Sequence, residues 1–201
     1  MKGLITSACI FAALSLVSCD GSSRLAKDIQ GSWSGTPENF MDNSVASTTI
    51  LETYDFAAPE NGGKTGSITI AGMLTISTQV LADTGIEQPL TLTASARSTI
   101  SGTWTAIDDD EITVALDPAT LNVMVDPDQI VAEGNMIGTQ TPEIETMRSS
   151  VAQAVTSNMK RALEVRYSSI RHLDDVKVKG TLLKFEIGNM DCVFTRQGTP
   201  Q

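Results

Sequence analysis

The stretch LTLTASARSTISGTWTA, residues 90–106, carries the clearest structural signal in this chain because apolar and polar side chains alternate along it. Its apolar residues fall on even positions, namely Leu90, Leu92, Ala94, Ala96, Ile100, Trp104 and Ala106. The same parity holds upstream for Ile68, Ile70, Leu74, Ile76 and Val80. Such alternation predicts β-strands with one face on a core and the other in water. Because these runs exceed a usual strand, we expect breaks or bulges near Gly72 and around residues 97–102.

The end of the chain predicts a hairpin. Residues 183–187 alternate, Gly188-Asn189 supplies a two-residue turn that tolerates positive φ, and residues 190–194 alternate again. With the remaining alternating segments, we expect about eight to ten short strands. Many short strands separated by turn residues favour one antiparallel β-barrel or sandwich.

One segment has helical rather than strand periodicity. Thr141 suits an N-cap and Pro142 the first helical position. Apolar residues then recur at spacings of three and four, namely Ile144, Met147, Val151, Val155, Met159 and Ala162. This spacing predicts an amphipathic helix that ends between Arg166 and Ile170, before the final hairpin, with its apolar stripe on the core.

The N-terminus predicts export and anchoring. Lys2 precedes an apolar segment, residues 3–18, that is shorter than the roughly 20 residues a membrane-spanning helix needs. Leu16-Val17-Ser18-Cys19 resembles the bacterial lipobox. The resemblance implies that residues 1–18 are a lipoprotein signal peptide and that acylated Cys19 holds the protein to membrane lipid in the bacterial cell envelope. Whether the inner or the outer membrane holds it stays open.

The amino-acid composition argues against a nucleic-acid partner and against disulfide bonds. A net charge of −10 argues against nucleic acid as a partner, since its binding depends on lysine and arginine neutralising phosphates. Once the leader is removed, Cys192 is the only cysteine besides Cys19, so no disulfide is expected. Cys192 alternates with Met190 and Phe194, which predicts a small buried hydrophobe rather than a reactive thiol. After the leader we expect a polar tether over residues 19–28 and one β-domain over residues 29–198.

The residue types that usually serve catalysis or metal binding do not occur here in the combinations that a catalytic or metal site needs. His172 is the only histidine, and no serine lies in a Gly-x-Ser-x-Gly turn. A zinc site needs three or four ligands, which one histidine and one free cysteine do not supply. The acidic run 108–111 suits a solvated hairpin tip better than a calcium loop. The sequence therefore predicts no catalytic residue, no metal, no cofactor and no enzymatic activity.

Two short motifs carry a family resemblance. Gly31-Ser32-Trp33, just after the tether, resembles the Gly-x-Trp of the lipocalins and the wider calycin group. The closing segment, residues 193–196, resembles the last strand of small bacterial lipoproteins with lipocalin-like domains. The resemblance implies a lipocalin-like barrel over residues 29–198 in which Arg196 covers the indole of Trp33 by a cation–π contact.

Two functions follow from these expectations. In the first, the anchored protein binds a small apolar ligand in the barrel, which at eight strands has just enough room for one. The lining residues would come from the even-numbered faces, and the candidates are Leu74, Leu92, Trp104 and Met124. In the second, the barrel is filled with side chains and the protein is a structural or protein-interaction module of the envelope with no ligand.

Overall fold

A computed structural model describes residues 20–59, 62–80, 90–133 and 142–198. The helices are α1 (Gly21–Asp28) and α2 (Pro142–Ser168), and a short 3-10 helix spans Pro127–Gln129. The strands are β1 (Gly31–Ser34), β2 (Glu38–Asp42), β3 (Ala46–Phe56), β4 (Thr65–Val80), β5 (Leu90–Ala106), β6 (Ile112–Val125), β7 (Val131–Glu133), β8 (His172–Lys179), β9 (Leu182–Ile187) and β10 (Met190–Arg196). The prediction of a mainly β chain is confirmed.

All ten strands belong to one antiparallel sheet whose pairings close into a ring. β1 closes the ring because it pairs with β10 on one edge and with β3 on the other. From β1 the pairings run through β10, β9, β8, β6, β5, β4 and β3, and then back to β1. β2 lies along β3 beyond β1, and β7 lies along β5 beyond β6.

The ring is closed unevenly. β4 and β5 pair continuously from Thr65 opposite Thr105 to Val80 opposite Leu90. By contrast, β1 meets β10 only at Trp33 and Ser34, and β6 meets β8 at two residue pairs. The long central strands therefore carry most of the backbone hydrogen bonding, and two short seams complete the ring.

The alternation predicted for β4 and β5 is confirmed. Their even-numbered apolar residues are buried wherever the structure describes the side chain, namely Ile68, Ile70, Leu74, Ile76, Leu92, Ala94, Ala96, Ile100, Trp104 and Ala106. The predicted break near Gly72 is wrong, because β4 passes through it without interruption. A Cβ at Gly72 would lie 2.5 Å from Ser98 Oγ, so this glycine makes room for a neighbouring side chain on β5.

The expected irregularity around residues 97–102 lies in the pairing of β5 with β6. Thr99 is opposite Asn122 while Ser101 is opposite Asp117, so β6 holds extra residues at this point. Thr120 stabilises the irregularity by accepting a hydrogen bond from the Ser101 backbone N–H at 2.9 Å. β6 therefore buries even positions before the irregularity, such as Val114, and odd positions after it, such as Val123.

Aromatic side chains fill the middle of the ring. Trp33, Tyr54, Phe56, Trp104 and Phe185 are all at most 2 % exposed. Phe56 meets Trp104 edge-on with ring centroids 5.9 Å apart, and Tyr54 meets Phe185 at 5.8 Å. Aromatic pairs in this range each contribute about 0.5–1.5 kcal/mol beyond the burial of their area. The space inside the ring is therefore occupied by side chains.

The expectation of a polar tether over residues 19–28 is wrong, because Gly21–Asp28 forms α1. Leu25 and Ala26 are buried, and Ile29, just after the helix, is fully buried as well. Asp20 accepts a hydrogen bond from Ser22 Oγ at 2.7 Å. The polar composition hid these few apolar residues, whose spacing of three to four suits one face of a short helix. The folded body accordingly begins, with Gly21, eight residues earlier than the predicted boundary at Ile29.

The predicted helix is present as α2, and its core-facing side includes the predicted Met159. Leu163 and Tyr167 extend this buried side, and they join the same core cluster as the ring's aromatic residues. The predicted cap Thr141, the leader of residues 1–18 and the lipidation site Cys19 lie outside the described residues. Among the described residues, no helix combines the length and the apolar character needed to span a bilayer.

The close approach of β5 and β6 at Gly102 gives a testable prediction. A Cβ at this position would lie 2.2 Å from the Ala115 carbonyl oxygen, which is backbone and has little freedom to move. We expect Gly102→Ala to lower the free energy of unfolding by about 1–3 kcal/mol, the usual cost of overpacking. Chemical denaturation measures it. Gly198→Ala is the control, since a Cβ there meets nothing within 4 Å. Equal stability of the two variants would contradict the β5–β6 register.

Candidate functional site

A cleft of about 500 Å³ opens where the ring loses its closing strand. β1 ends at Ser34, and the chain then crosses through Gly35 and Thr36 to β2. From Met190 to Phe194, β10 therefore has no strand partner on its β1 side among the described residues. Arg166 in the last turn of α2, with Ser169 and Ile170 just after the helix, lies across this gap and forms one wall of the cleft.

The lining of the cleft is mainly apolar. Tyr54 and Phe194 come from the core, with ring centroids 4.8 Å apart, and Ile170 follows α2. The β9–β10 hairpin adds Ile187 and Val193. The predicted hairpin is confirmed, since Ile187 pairs with Met190 across the two-residue turn at Gly188-Asn189. The cleft thus has a floor that continues the hydrophobic core and a wall made by one hairpin edge.

An ion-pair network crosses the cleft from α2 to the sheet. Arg166 donates from Nε to Glu52 Oε1 at 3.0 Å and from Nη2 to Glu52 Oε2 at 2.8 Å. Arg166 Nη2 also pairs with Glu38 on β2. Glu52 is only 6 % exposed, whereas Glu38 is 52 % exposed. Removing the guanidinium would leave Glu52 buried and unpaired, at a cost of about 3–5 kcal/mol.

Burial and charge set the protonation of the groups in this network. Burial by itself lowers the pKa of Arg166, but the hydrogen bonds and charge of Glu52 outweigh it, so this pKa lies above its ordinary value. Burial, followed by the negative charge of Glu52, raises the pKa of Tyr54 well above its usual range. Near neutral pH the guanidinium of Arg166 is therefore charged, and the phenol of Tyr54, which lines the same cleft, is neutral.

Cys192 lies half-buried in the cleft wall, on the same side of β10 as Phe194. Burial, followed by the charge of Glu38, raises the pKa of this thiol to about 11. The nearby Arg166 lowers the pKa without cancelling these effects. Since the thiolate is the reactive form of cysteine, the thiol is inert at neutral pH.

The structure places Trp33 and Arg196 together at the other end of β10. The Trp33 indole N–H donates to the Ile29 carbonyl at 2.7 Å, and Arg196 Cζ lies 4.1 Å from the indole centroid. Arg196 also donates to the backbone carbonyls of Gln30 and Asp28, at 2.8 and 3.0 Å. This is the contact that the lipocalin resemblance implies, and it ties the end of β10 to the end of α1.

The residues predicted to line a ligand cavity do not meet at the cleft. Leu74, Leu92 and Trp104 are buried, and none of them is among the residues that line the cleft. The assignment of Met124 is wrong, because its side chain is 59 % exposed. The extra residues in β6 shift the buried face from even to odd positions, and Met124 then points outward.

Sequence reasoning missed the charged network, although two of its three members, Glu52 and Arg166, had a signal. Glu52 falls between Ile50 and Tyr54 on the even-numbered face of β3, where an acid on an apolar face needs a partner. Arg166 lies seven residues after Met159 and therefore on the same side of α2. Which acid pairs with which base depends on how the helix crosses the sheet, and periodicity does not specify that crossing.

Several other polar residues lie outside the cleft. His172 Nδ1 is 3.3 Å from Glu111, and both side chains are exposed. Asp126 caps the short 3-10 helix by accepting from the Asp128 N–H at 3.0 Å. Within the described ranges, no three acidic, histidine or cysteine side chains converge as a set that could hold a metal ion.

No protein-family model and no curated protein sequence matches this chain. The chemistry of the cleft therefore has to be inferred from its own residues. The guanidinium is held by two carboxylates, the thiol is protonated and the floor is apolar. Such an arrangement can hold a molecule by contact and charge.

The raised pKa of Cys192 gives a second prediction. At pH 8 we expect iodoacetamide to alkylate Cys192 roughly a hundredfold or more slowly in the folded protein than in guanidinium chloride, where a thiol has a pKa of about 8.5. In the folded protein the rate should keep rising toward a midpoint of about 11. Mass spectrometry of the tryptic peptide of residues 185–196 isolates this site from other cysteines. A folded-state midpoint near that of the unfolded chain would contradict the assignment.

Proposed function

We propose that this chain is a lipid-anchored protein of the bacterial cell envelope that binds a small ligand with an apolar body. The observation that carries the proposal is the cleft of about 500 Å³ beside β10, whose floor continues the hydrophobic core. Small-molecule sites are commonly concave, mostly apolar and about 300–1,000 Å³ in volume. The cleft has each of these properties.

We further propose that the domain is a lipocalin-like barrel. The closed ring of strand pairings supports this architecture, and so does Arg196 over Trp33. In this proposal the ligand lies at the open seam, because aromatic side chains occupy the middle of the ring. The helix α2 then serves as one wall of the binding site.

A second candidate is a structural or protein-interaction module of the envelope. The filled interior favours it, since the largest aromatic side chains of the ring are almost fully buried. In that case the cleft would receive part of a protein partner rather than a free small molecule. In both candidates we propose that the protein is not an enzyme, and the protonated Cys192 and the paired Arg166 support this.

The anchor has a direct test. Mass spectrometry of the protein purified from its own host should find a chain that begins at Cys19 and carries acyl groups on that residue. Two or three acyl chains hold a protein to a bilayer firmly where one does not. The Cys19→Ser variant is the control and should leave the membrane fraction. An unmodified Cys19 or a retained Met1 in the native protein would remove the anchor from the proposal.

The ligand has a separate test that uses the same preparation. Native mass spectrometry should detect a small molecule that copurifies with the wild-type protein. We expect Cys192→Phe, which adds bulk to the cleft wall, to lose that molecule while Thr103→Phe, on the exposed face of β5, retains it. Thermal unfolding checks that both variants are folded. Repeated absence of any bound molecule from the wild-type protein would favour the interaction module.

A further inference from the structure

The charges around the cleft are predominantly negative. Three carboxylates line it, from Glu38, Glu52 and Asp191, against the single guanidinium of Arg166. Glu52 has both oxygens bound to Arg166 and is buried, so it is not available to a ligand. Glu38 binds Arg166 through Oε1 alone and is about half exposed. Among the described residues, no hydrogen bond or ion pair occupies the carboxylate of the exposed Asp191.

The guanidinium is a poor partner for an anion. Its Nε and Nη2 already donate to Glu52 and Glu38. The remaining nitrogen, Nη1, belongs to the same guanidinium group as the atoms that bind the two carboxylates, and the negative charges of Glu38 and Glu52 repel an anion there. A cation meets the reverse situation, because among the described residues no hydrogen bond reaches Oε2 of Glu38, and Asp191 adds charge of the same sign at the rim.

The open edge of β10 adds backbone N–H and C=O groups, which do not distinguish a positively charged ligand from a negatively charged one. The N–H of Gln197 donates to Ser32, and residues at every second position of a strand direct their backbone groups to the same side. The backbone groups of Asp191 and Val193 therefore point toward the gap that β1 leaves. They offer both donors and acceptors, so the carboxylates decide which ligands are favoured.

We propose that the cleft binds an organic cation, which is a protonated amine on an apolar body that fits within about 500 Å³. The apolar body lies on Tyr54, Ile170 and Phe194, and the ammonium group lies against Glu38 at the rim. This inference rests on the proposed ligand-binding function and adds the chemical class of the ligand. Burial is the main cause of the raised pKa of Cys192, Glu38, Glu52 and Asp191 raise it further, and Arg166 lowers it.

The test compares three probes that share a phenyl ring and a short chain, namely phenethylamine, phenethyl alcohol and phenylacetate. NMR titrations use the full chain in zwitterionic phosphatidylcholine nanodiscs, with empty nanodiscs as the blank for lipid partitioning. We expect phenethylamine to bind about tenfold more tightly than the alcohol, since a charge-assisted hydrogen bond is roughly twice as strong as a neutral one. Phenylacetate should bind most weakly.

Matched variants locate the cation. Glu38→Gln should reduce the affinity for phenethylamine to that for the alcohol, and it should leave alcohol binding unchanged. Glu164→Gln, on the exposed side of α2, is the control and should bind all three probes as the wild type does. Equal or tighter binding of phenylacetate would overturn the cation preference and leave the ligand-binding proposal standing. Failure of all three probes to bind would count against both.

Discussion

Four residues of β1 hold the sheet closed, and the geometry of the cleft follows from how short that strand is. β1 pairs with β3 along its whole length but reaches β10 at only two residues. A longer β1 would have sealed the seam and covered the edge of β10. Because the chain leaves at Gly35, the edge stays open and the end of α2 forms the wall that a strand would otherwise supply.

Much of the fold could be predicted from the sequence, because strand residues alternate between apolar and polar and helix residues recur at spacings of three and four. The alternation in β4 and β5, the β9–β10 hairpin and α2 were all predicted, because each depends on local spacing. The exposed Met124 shows the limit of this reasoning, since a few extra residues in β6 reverse the parity of everything after them. Asp117-Pro118 within β6 marks where that shift occurs, since proline in a strand is confined to edges and bulges, but it does not give the number of extra residues. A hydrogen bond from β5 to Thr120 stabilises the shift.

The candidate site was much less accessible than the fold. Its parts come from β3, α2 and the β9–β10 hairpin, which are more than a hundred residues apart in sequence at their widest, as the pair Arg166–Glu52 illustrates. A buried acid on an apolar strand face predicts that a partner exists, but not which partner. Trp33 and Arg196 were paired by resemblance rather than by spacing, and the structure shows them in contact.

The early start of α1 bears on how an anchored molecule would be held. The helix begins two residues after Cys19, and an extended chain covers at most about 3.6 Å per residue. If that sulfur carried an acyl group, the linker between lipid and helix would be too short for the folded body to move away from the bilayer. The α1 end of the body would then contact the membrane surface. Arg196 fastens the near end of β10 to α1. The turn at Gly188, at the far end of β10, would then point into the aqueous compartment, with the mouth of the cleft beside it.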